Sequence, residues 1–291
     1  MGALDGRVAI ITGAGRGLGR EHALLFAAEG ARVVVNDRGG ANDGSGEDVS
    51  PAEAVVAEIT AAGGEAIANG DDVADFEGAR ALVNAAIDAF GELDILVNNA
   101  GILRDRVLVN MSEAEWDDVV RVHLKGHFAP SRWAAAYWRE EAKAGRSKPR
   151  HMVHTSSTSG LLSNPGQSNY GAAKSGIATF SQIVAKELGR YDVKSNCIAP
   201  AARTRLTLAT PGLDEIMEAK EGAFDDWDPA NVSPLVCYLA SDRCEFSGET
   251  FFVQGRNVKR VRTWEMAESV DGDDRWTVDT LADALGAALK P

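Results

Sequence analysis

A chain of 291 residues with 45% hydrophobic content carries enough aliphatic surface for a packed core and is not a disordered polymer. Lys and Arg total 30 against 43 Asp and Glu, a formal net charge of -13, and so acidic a surface argues against a nucleic-acid binder. Three cysteines, Cys197, Cys237 and Cys244, cannot all pair and lack any CxxC spacing, so a reduced interior is expected.

The opening MGALDGRVAIITGAG places charges at Asp5 and Arg7 and lacks the basic and long apolar regions of a signal peptide. No apolar run reaches the length of about 18 residues that a membrane span needs. The expectation is a soluble, cytoplasmic protein without membrane or nucleic-acid partners.

In chain order, Val8 to Thr12 reads as a buried strand, followed by a glycine-rich turn and a helix from Gly17 to Glu29. Strands are then expected at Arg32 to Asn36, Glu65 to Ala68, Leu93 to Asn98, His151 to Ser156, Val193 to Ala199 and Thr250 to Val253. Helical patterns fall at 52–62, 75–90, 112–125, 128–144, 168–189 and 231–241. Apolar strands alternating with crossover helices predict an α/β fold, a Rossmann-like, doubly wound parallel sheet flanked by helices in a single domain. Three segments break this rhythm. Gly39 to Ser50 is polar and glycine-rich and reads as an exposed, mobile excursion. Residues 201–231 lack periodicity and suit a substrate-covering flap. The division expected is a catalytic domain over 1–256 and a C-terminal extension over 257–291 that packs on the domain or a neighbouring subunit.

The turn TGAGRGLG at 12–19 sits between a strand and a helix. Gly13, Gly17 and Gly19 let the backbone approach a pyrophosphate, and the helix start offers free N–H groups and a positive field. The spacing is GxxxGxG rather than GxGxxG. Arg16 and Leu18 occupy the same turn. Asp37, ending the second strand, can accept both hydroxyls of an adenosine ribose and repels a ribose phosphate, which favours NAD over NADP. Arg16 and Arg38 pull the other way.

Tyr170 and Lys174 are four apart, so a helix puts them on one face. An ammonium beside a phenol is expected to lower its pKa from about 10 toward neutrality, as a general base requires. Ser157, at a strand end, is placed to hold the substrate oxygen. The histidines are scattered without ligand spacing, so no metal is expected. Cys197 reads as buried and inert, and Trp116, Trp133 and Trp138 as core or subunit contacts.

With these marks the sequence resembles the short-chain dehydrogenase/reductase (SDR) family over about residues 5–256. The motifs are TGAGRGLG, Asp72-Val73, NNAG at 98–101, Ser157, Tyr170 and Lys174. Within it, VVVND at 33–37, NNAGILRDR at 98–106, RVHLKG at 121–126 and GQSNYGAAK at 166–174 are similar to the (3R)-hydroxyacyl-CoA dehydrogenase branch found in peroxisomal multifunctional enzymes type 2. The resemblance implies an NAD-dependent oxidoreductase acting on a secondary alcohol or ketone, assembled as a homodimer or homotetramer. A 3-hydroxyacyl-CoA is a candidate substrate. It implies that Asp72 and Val73 meet the adenine, Asn99, Ala100 and Gly101 line the cofactor floor, and Lys174 holds the nicotinamide ribose beside Tyr170. A cyclic or steroid-like alcohol, or a non-redox or cofactor-sensing role on the same fold, remain the alternatives.

Two departures from the family pattern stand out. His123 occupies the place of the usual Asn, where it either supports a proton relay or satisfies a carbonyl at a helix bend. Pro200-Ala201 replaces Pro-Gly beside the expected nicotinamide, with Thr204 the nearest candidate for an amide contact. Arg203 and Arg205 either attract an anionic substrate tail or form surface ion pairs.

Overall fold

In the computed structural model, which describes residues 2–209, 213–219, 222–262 and 264–288, the inner strands are apolar because helices cover the sheet on both faces. The elements run β1 (Val8–Thr12), α1 (Gly17–Ala28), β2 (Arg32–Asn36), α2 (Ser50–Ala61), β3 (Glu65–Asn69), α3 (Phe76–Phe90) and β4 (Ile95–Asn98). They continue through α4 (Glu113–Val120), α5 (Gly126–Lys143), β5 (Arg150–Thr155), α6 (Thr158–Leu162), α7 (Ser168–Leu188) and β6 (Val193–Pro200). Next come α8 (Leu213–Ile216), α9 (Ser233–Leu239), β7 (Thr250–Gln254), β8 (Asn257–Val261) and α10 (Val278–Ala288).

The sheet order is β3-β2-β1-β4-β5-β6-β7-β8, parallel throughout except for β8, which runs antiparallel to β7. Alternate residues of each strand serve opposite faces. Ala9, Ile11, Val33 and Val35 pack with Phe26, Ile59 and Val236 of α1, α2 and α9. Val8, Ile10 and Val34 pack with Leu82, Trp138 and Val184 of α3, α5 and α7. Trp138 is a core residue whose indole N–H donates to the Leu93 carbonyl at 2.7 Å. Strand β1 pairs with β2 on one side and β4 on the other, so the chain reverses its winding there and opens a crevice at the carboxyl ends of those strands.

Several boundaries differ from expectation for identifiable reasons. The helix expected over 112–125 is capped by a Ser112–Glu115 box, then becomes a π-helical turn at Arg121–Lys125 before α5. Strand β8 is absent from the sequence reading because Asn257–Val261 is an exposed edge carrying Lys259 and Arg260, with no apolar run to announce it. With β8 paired to β7, the sheet unit runs to Val261. The remaining unit, Arg262–Pro291, contains α10 and an ion pair between Arg262 and Glu265. Among the described residues no helix is long and apolar enough to cross a membrane.

Candidate active site

A cavity of about 410 Å³ opens in the crevice. It gathers Arg16 and Leu18 with the glycine turn, Asp37, Asp72 and Val73 at one end, and Ser157, Tyr170, Lys174 and Pro200 at the other. Gly19 is the exception among the expected site residues. It lies beneath the turn, where a Cβ would come within 2.2 Å of the Gly13 carbonyl oxygen.

The turn is held by side chains from below. Thr12 Oγ1 accepts from the N–H groups of Asn99 and Ala100 at 2.9 and 3.1 Å, and Asn99 Nδ2 donates to the Thr12 and Gly13 carbonyls. Gly13 needs its positive φ of 63° and its lack of Cβ, which would sit 2.8 Å from Ala100 Cα. Arg16 is the N-cap of α1 without a side-chain cap, so the first turn keeps donors for an anion. This cradle fits the pyrophosphate of a dinucleotide. Gly19→Ala should therefore lower the melting temperature by roughly 3–10 °C and weaken cofactor binding, both readable by thermal shift with and without cofactor.

Asp37 is fixed at the end of β2. Its Oδ2 accepts from Gly15 N–H at 2.8 Å and its Oδ1 from Gly39 N–H at 2.6 Å. Arg38 turns instead to Asp72 at 3.0 Å and to Glu47, and Arg121 joins Asp72 at 2.8 Å. Partial burial works against ionisation of Asp72, but Arg121, the Ala74 N–H and Arg38 together hold its pKa below the ordinary value.

The excursion 39–50 is tied down rather than loose. The Asn42 carbonyl accepts from the Leu103 N–H at 3.0 Å, the Asp43 carbonyl accepts from Arg104 Nε at 2.9 Å, and Asn42 Nδ2 donates to the Arg205 carbonyl at 3.2 Å. It builds one wall of the cavity. In the segment expected as a flap, Arg203 is committed to Asp225 and the Met217 carbonyl, whereas Arg205 and Thr204 line the cavity. Residues 210–212 and 220–221 of that segment lie outside the described residues.

At the other end, Ser157 lies just after β5 as the N-cap of α6, its Oγ accepting from Ser159 N–H at 3.2 Å. Tyr170 and Lys174 share one face of α7, with Lys174 Nζ 5.5 Å from the Tyr170 ring centroid and donating to the Thr155 carbonyl at 2.6 Å. Ser156 Oγ donates to the Lys174 carbonyl at 2.7 Å and locks strand to helix. His123 meets the Tyr170 ring edge-on at 5.1 Å. Its Nε2 stands 2.7 Å from the Ile102 carbonyl and 3.1 Å from the Ile102 N–H, and the shorter contact assigns the proton to Nε2. Burial, then the Lys174 charge, keeps this imidazole neutral, with its pKa well below the ordinary value. The His123 ring is thus bonded to the backbone of Ile102, in the loop after β4. Gly101 makes room for it, since a Cβ there would sit 2.4 Å from its Cε1.

The expectation that Lys174 brings Tyr170 toward neutrality is not met by these side chains. Burial pushes the Tyr170 phenol up to about 12, with Ser157 pulling it back and the Asp105 charge adding to the rise. Burial likewise pushes Lys174 down to about 7. Desolvation of the charged form is the largest cause at each group. Lys174 binds its proton less tightly folded than unfolded, so stability rises with pH between about 7 and its ordinary value of 10.5. Cys197, raised to about 12 from 9.0, adds the opposite slope only above 9. Melting temperatures taken from neutral pH to just below 9 should therefore climb in the wild type relative to Lys174→Met.

Comparison with known proteins decides the family. Residues 7–209 match the model of the short chain dehydrogenase family. The chain belongs to that family. It is therefore an NAD(P)-dependent oxidoreductase of the short-chain type acting on CH–OH groups. A crystal structure of a short chain dehydrogenase from Mycobacterium avium superposes with a TM-score of 0.86 at 48% identity, covering 100% of this chain and 98% of that one. Hydroxyacyl-CoA dehydrogenase ChsB1 of Mycobacterium tuberculosis is 45% identical over 273 residues, 93% of this chain and 84% of its own. The peroxisomal multifunctional enzyme type 2 of Drosophila melanogaster is 47% identical over 244 residues, 84% of this chain but 38% of that larger protein.

For this short-chain dehydrogenase the sequence reading missed Thr12 as the hub of the turn and Arg121 as the second partner of Asp72. Thr12 stood beside the glycines and was legible as a hydroxyl at a strand end. Arg121 was not, because only the π turn aims it at the cavity.

Proposed function

We propose that this dehydrogenase prefers NAD and moves hydride between the nicotinamide and the carbinol carbon of a 3-hydroxyacyl thioester. The observation that carries the cofactor preference is the pinned Asp37 carboxylate beside an Arg38 already shared between Asp72 and Glu47. A ribose 2′-phosphate at that end would face an uncompensated carboxylate. The names of its relatives support the substrate class, since ChsB1 is a hydroxyacyl-CoA dehydrogenase. Arg16 and Arg205 at the cavity suit an anionic thioester.

The cofactor, when bound, supplies the redox step. The chain positions and moves the proton. Ser157 holds the substrate oxygen, and Tyr170 exchanges a proton with it. A phenol near 12 is protonated at neutral pH and ready to donate to a carbonyl oxygen in the reductive direction. In the oxidative direction Tyr170 must first lose that proton, so oxidation speeds up with rising pH. Lys174 and Ser157 anchor the phenol, and His123 excludes water from its edge.

The test is a panel of 3-hydroxyacyl-CoA thioesters, cyclic alcohols and simple secondary alcohols, each with NAD and NADP, followed by absorbance of the reduced nicotinamide. Turnover of thioesters with NAD supports the reading. Turnover confined to cyclic alcohols replaces its substrate class, and a preference for NADP overturns its cofactor.

A further inference from the structure

The mechanism uses Ser157 and Tyr170 but leaves a string of polar groups beside them unexplained. Asp105, an exposed residue in the loop after β4, accepts through Oδ2 from Nε2 of Gln167, which lines the cavity, at 2.7 Å. Gln167 is buried, and the bond fixes which way its amide faces. Its Oε1 then points to Ser159 and Asn164, accepting from Ser159 Oγ at 2.7 Å and from Asn164 Nδ2 at 2.9 Å. Ser159 in turn gives its backbone N–H to Ser157 Oγ at 3.2 Å. The loop is braced from the other side by Arg106, whose N–H donates to the Gly166 carbonyl at 2.8 Å.

We infer that Asp105, acting through Gln167 and Ser159, is a positioning residue that sets the Ser157 hydroxyl against Tyr170. The inference rests on the proposed roles of Ser157 and Tyr170. With one lone pair of Ser157 Oγ occupied by the Ser159 N–H, the Ser157 O–H is left to donate toward the substrate oxygen. A reversed Gln167 amide would present its NH₂ to the Ser159 hydroxyl and Asn164 Nδ2, and its oxygen to the Asp105 carboxylate. Asp105 forbids that orientation.

Asp105 also carries a charge. Tyr170 faces His123, Lys174 and Ser157, of which His123 is neutral; burial first and then the Asp105 carboxylate raise the phenol pKa, against the pull of Ser157. The neighbouring arginines do not cancel it, since Arg104 pairs with Asp118 and Arg106 with Glu115. Partial burial raises the Asp105 carboxyl above its ordinary value, against the pull of Gln167.

Three variants separate position from charge. Asp105→Asn keeps an acceptor for Gln167 and removes the charge. Asp105→Ala removes both, and Ser159→Ala cuts the string while leaving the charge. The assay is oxidation of the alcohol in the panel that the wild type turns over best, with the cofactor dissociation constant measured alongside. D105A and S159A should lose about three- to tenfold in kcat, the effect of one misdirected hydrogen bond, with cofactor affinity unchanged. D105N should keep most of kcat but move the acid limb of the pH profile to lower pH, and S159A should not move it. Wild-type kcat and pH limb in D105A overturn the inference, as does a parallel loss of cofactor affinity in D105N. A wild type silent on the whole panel would sink the functional reading instead. The string is then decided by the Gln167 side-chain amide resonances: slow hydrogen exchange in wild type and D105N with fast exchange in D105A is expected, and equal exchange in all three contradicts it.

Discussion

Tyr170→Phe is expected to lower kcat by about 10²–10⁴-fold, the usual contribution of a positioned acid or base, with the cofactor still bound. The phenol bonds Ser157 and shares a face of α7 with Lys174, which makes it the group placed to carry the proton. His123 touches the ring edge-on, but its proton is committed to the Ile102 carbonyl. Removing the hydroxyl leaves the ring and its packing, so the glycine cradle and Asp37 are untouched. Steady-state kinetics together with a cofactor binding titration read both halves of the expectation. Full activity in the variant would remove Tyr170 from the mechanism.

Asp37→Ala is expected to shift the ratio of NAD to NADP efficiency by about a hundredfold, the scale of losing charged hydrogen bonds to the ribose together with a repulsion. Two contributions act in the same direction. The carboxylate no longer accepts from ribose hydroxyls or opposes a 2′-phosphate. Arg38 and Arg16 also lie beside the vacated place. Asp37 additionally accepts from Gly15 and Gly39, so some loss of affinity for both cofactors accompanies the shift. The ratio of kcat/KM values isolates specificity from this common loss.

Much of this site was legible because its chemistry is local in sequence. The glycine turn follows a strand of five buried residues, and Tyr170 and Lys174 share a helical face by spacing alone. What stayed hidden depends on tertiary placement. Whether Arg38 serves a phosphate or Asp72 turns on where β3 ends, and the apparently loose 39–50 excursion becomes a wall only through bonds to 103, 104 and 205. The Tyr170 phenol is pushed opposite to the local argument, and Lys174 is pushed down as well. Sequence spacing gave their proximity but not how deeply both would be desolvated. Strand β8 failed the pattern test because an edge strand has little apolar surface to show.

The most direct test of the account is isotope transfer. A 3-hydroxyacyl-CoA carrying deuterium on the carbinol carbon is incubated with the enzyme and NAD, and the reduced cofactor is examined by mass spectrometry. The account predicts one deuterium in the reduced nicotinamide, a 3-ketoacyl product, and loss of both in Tyr170→Phe. A product formed by loss of water or inversion at the carbinol carbon, with no deuterium in the cofactor, would contradict it.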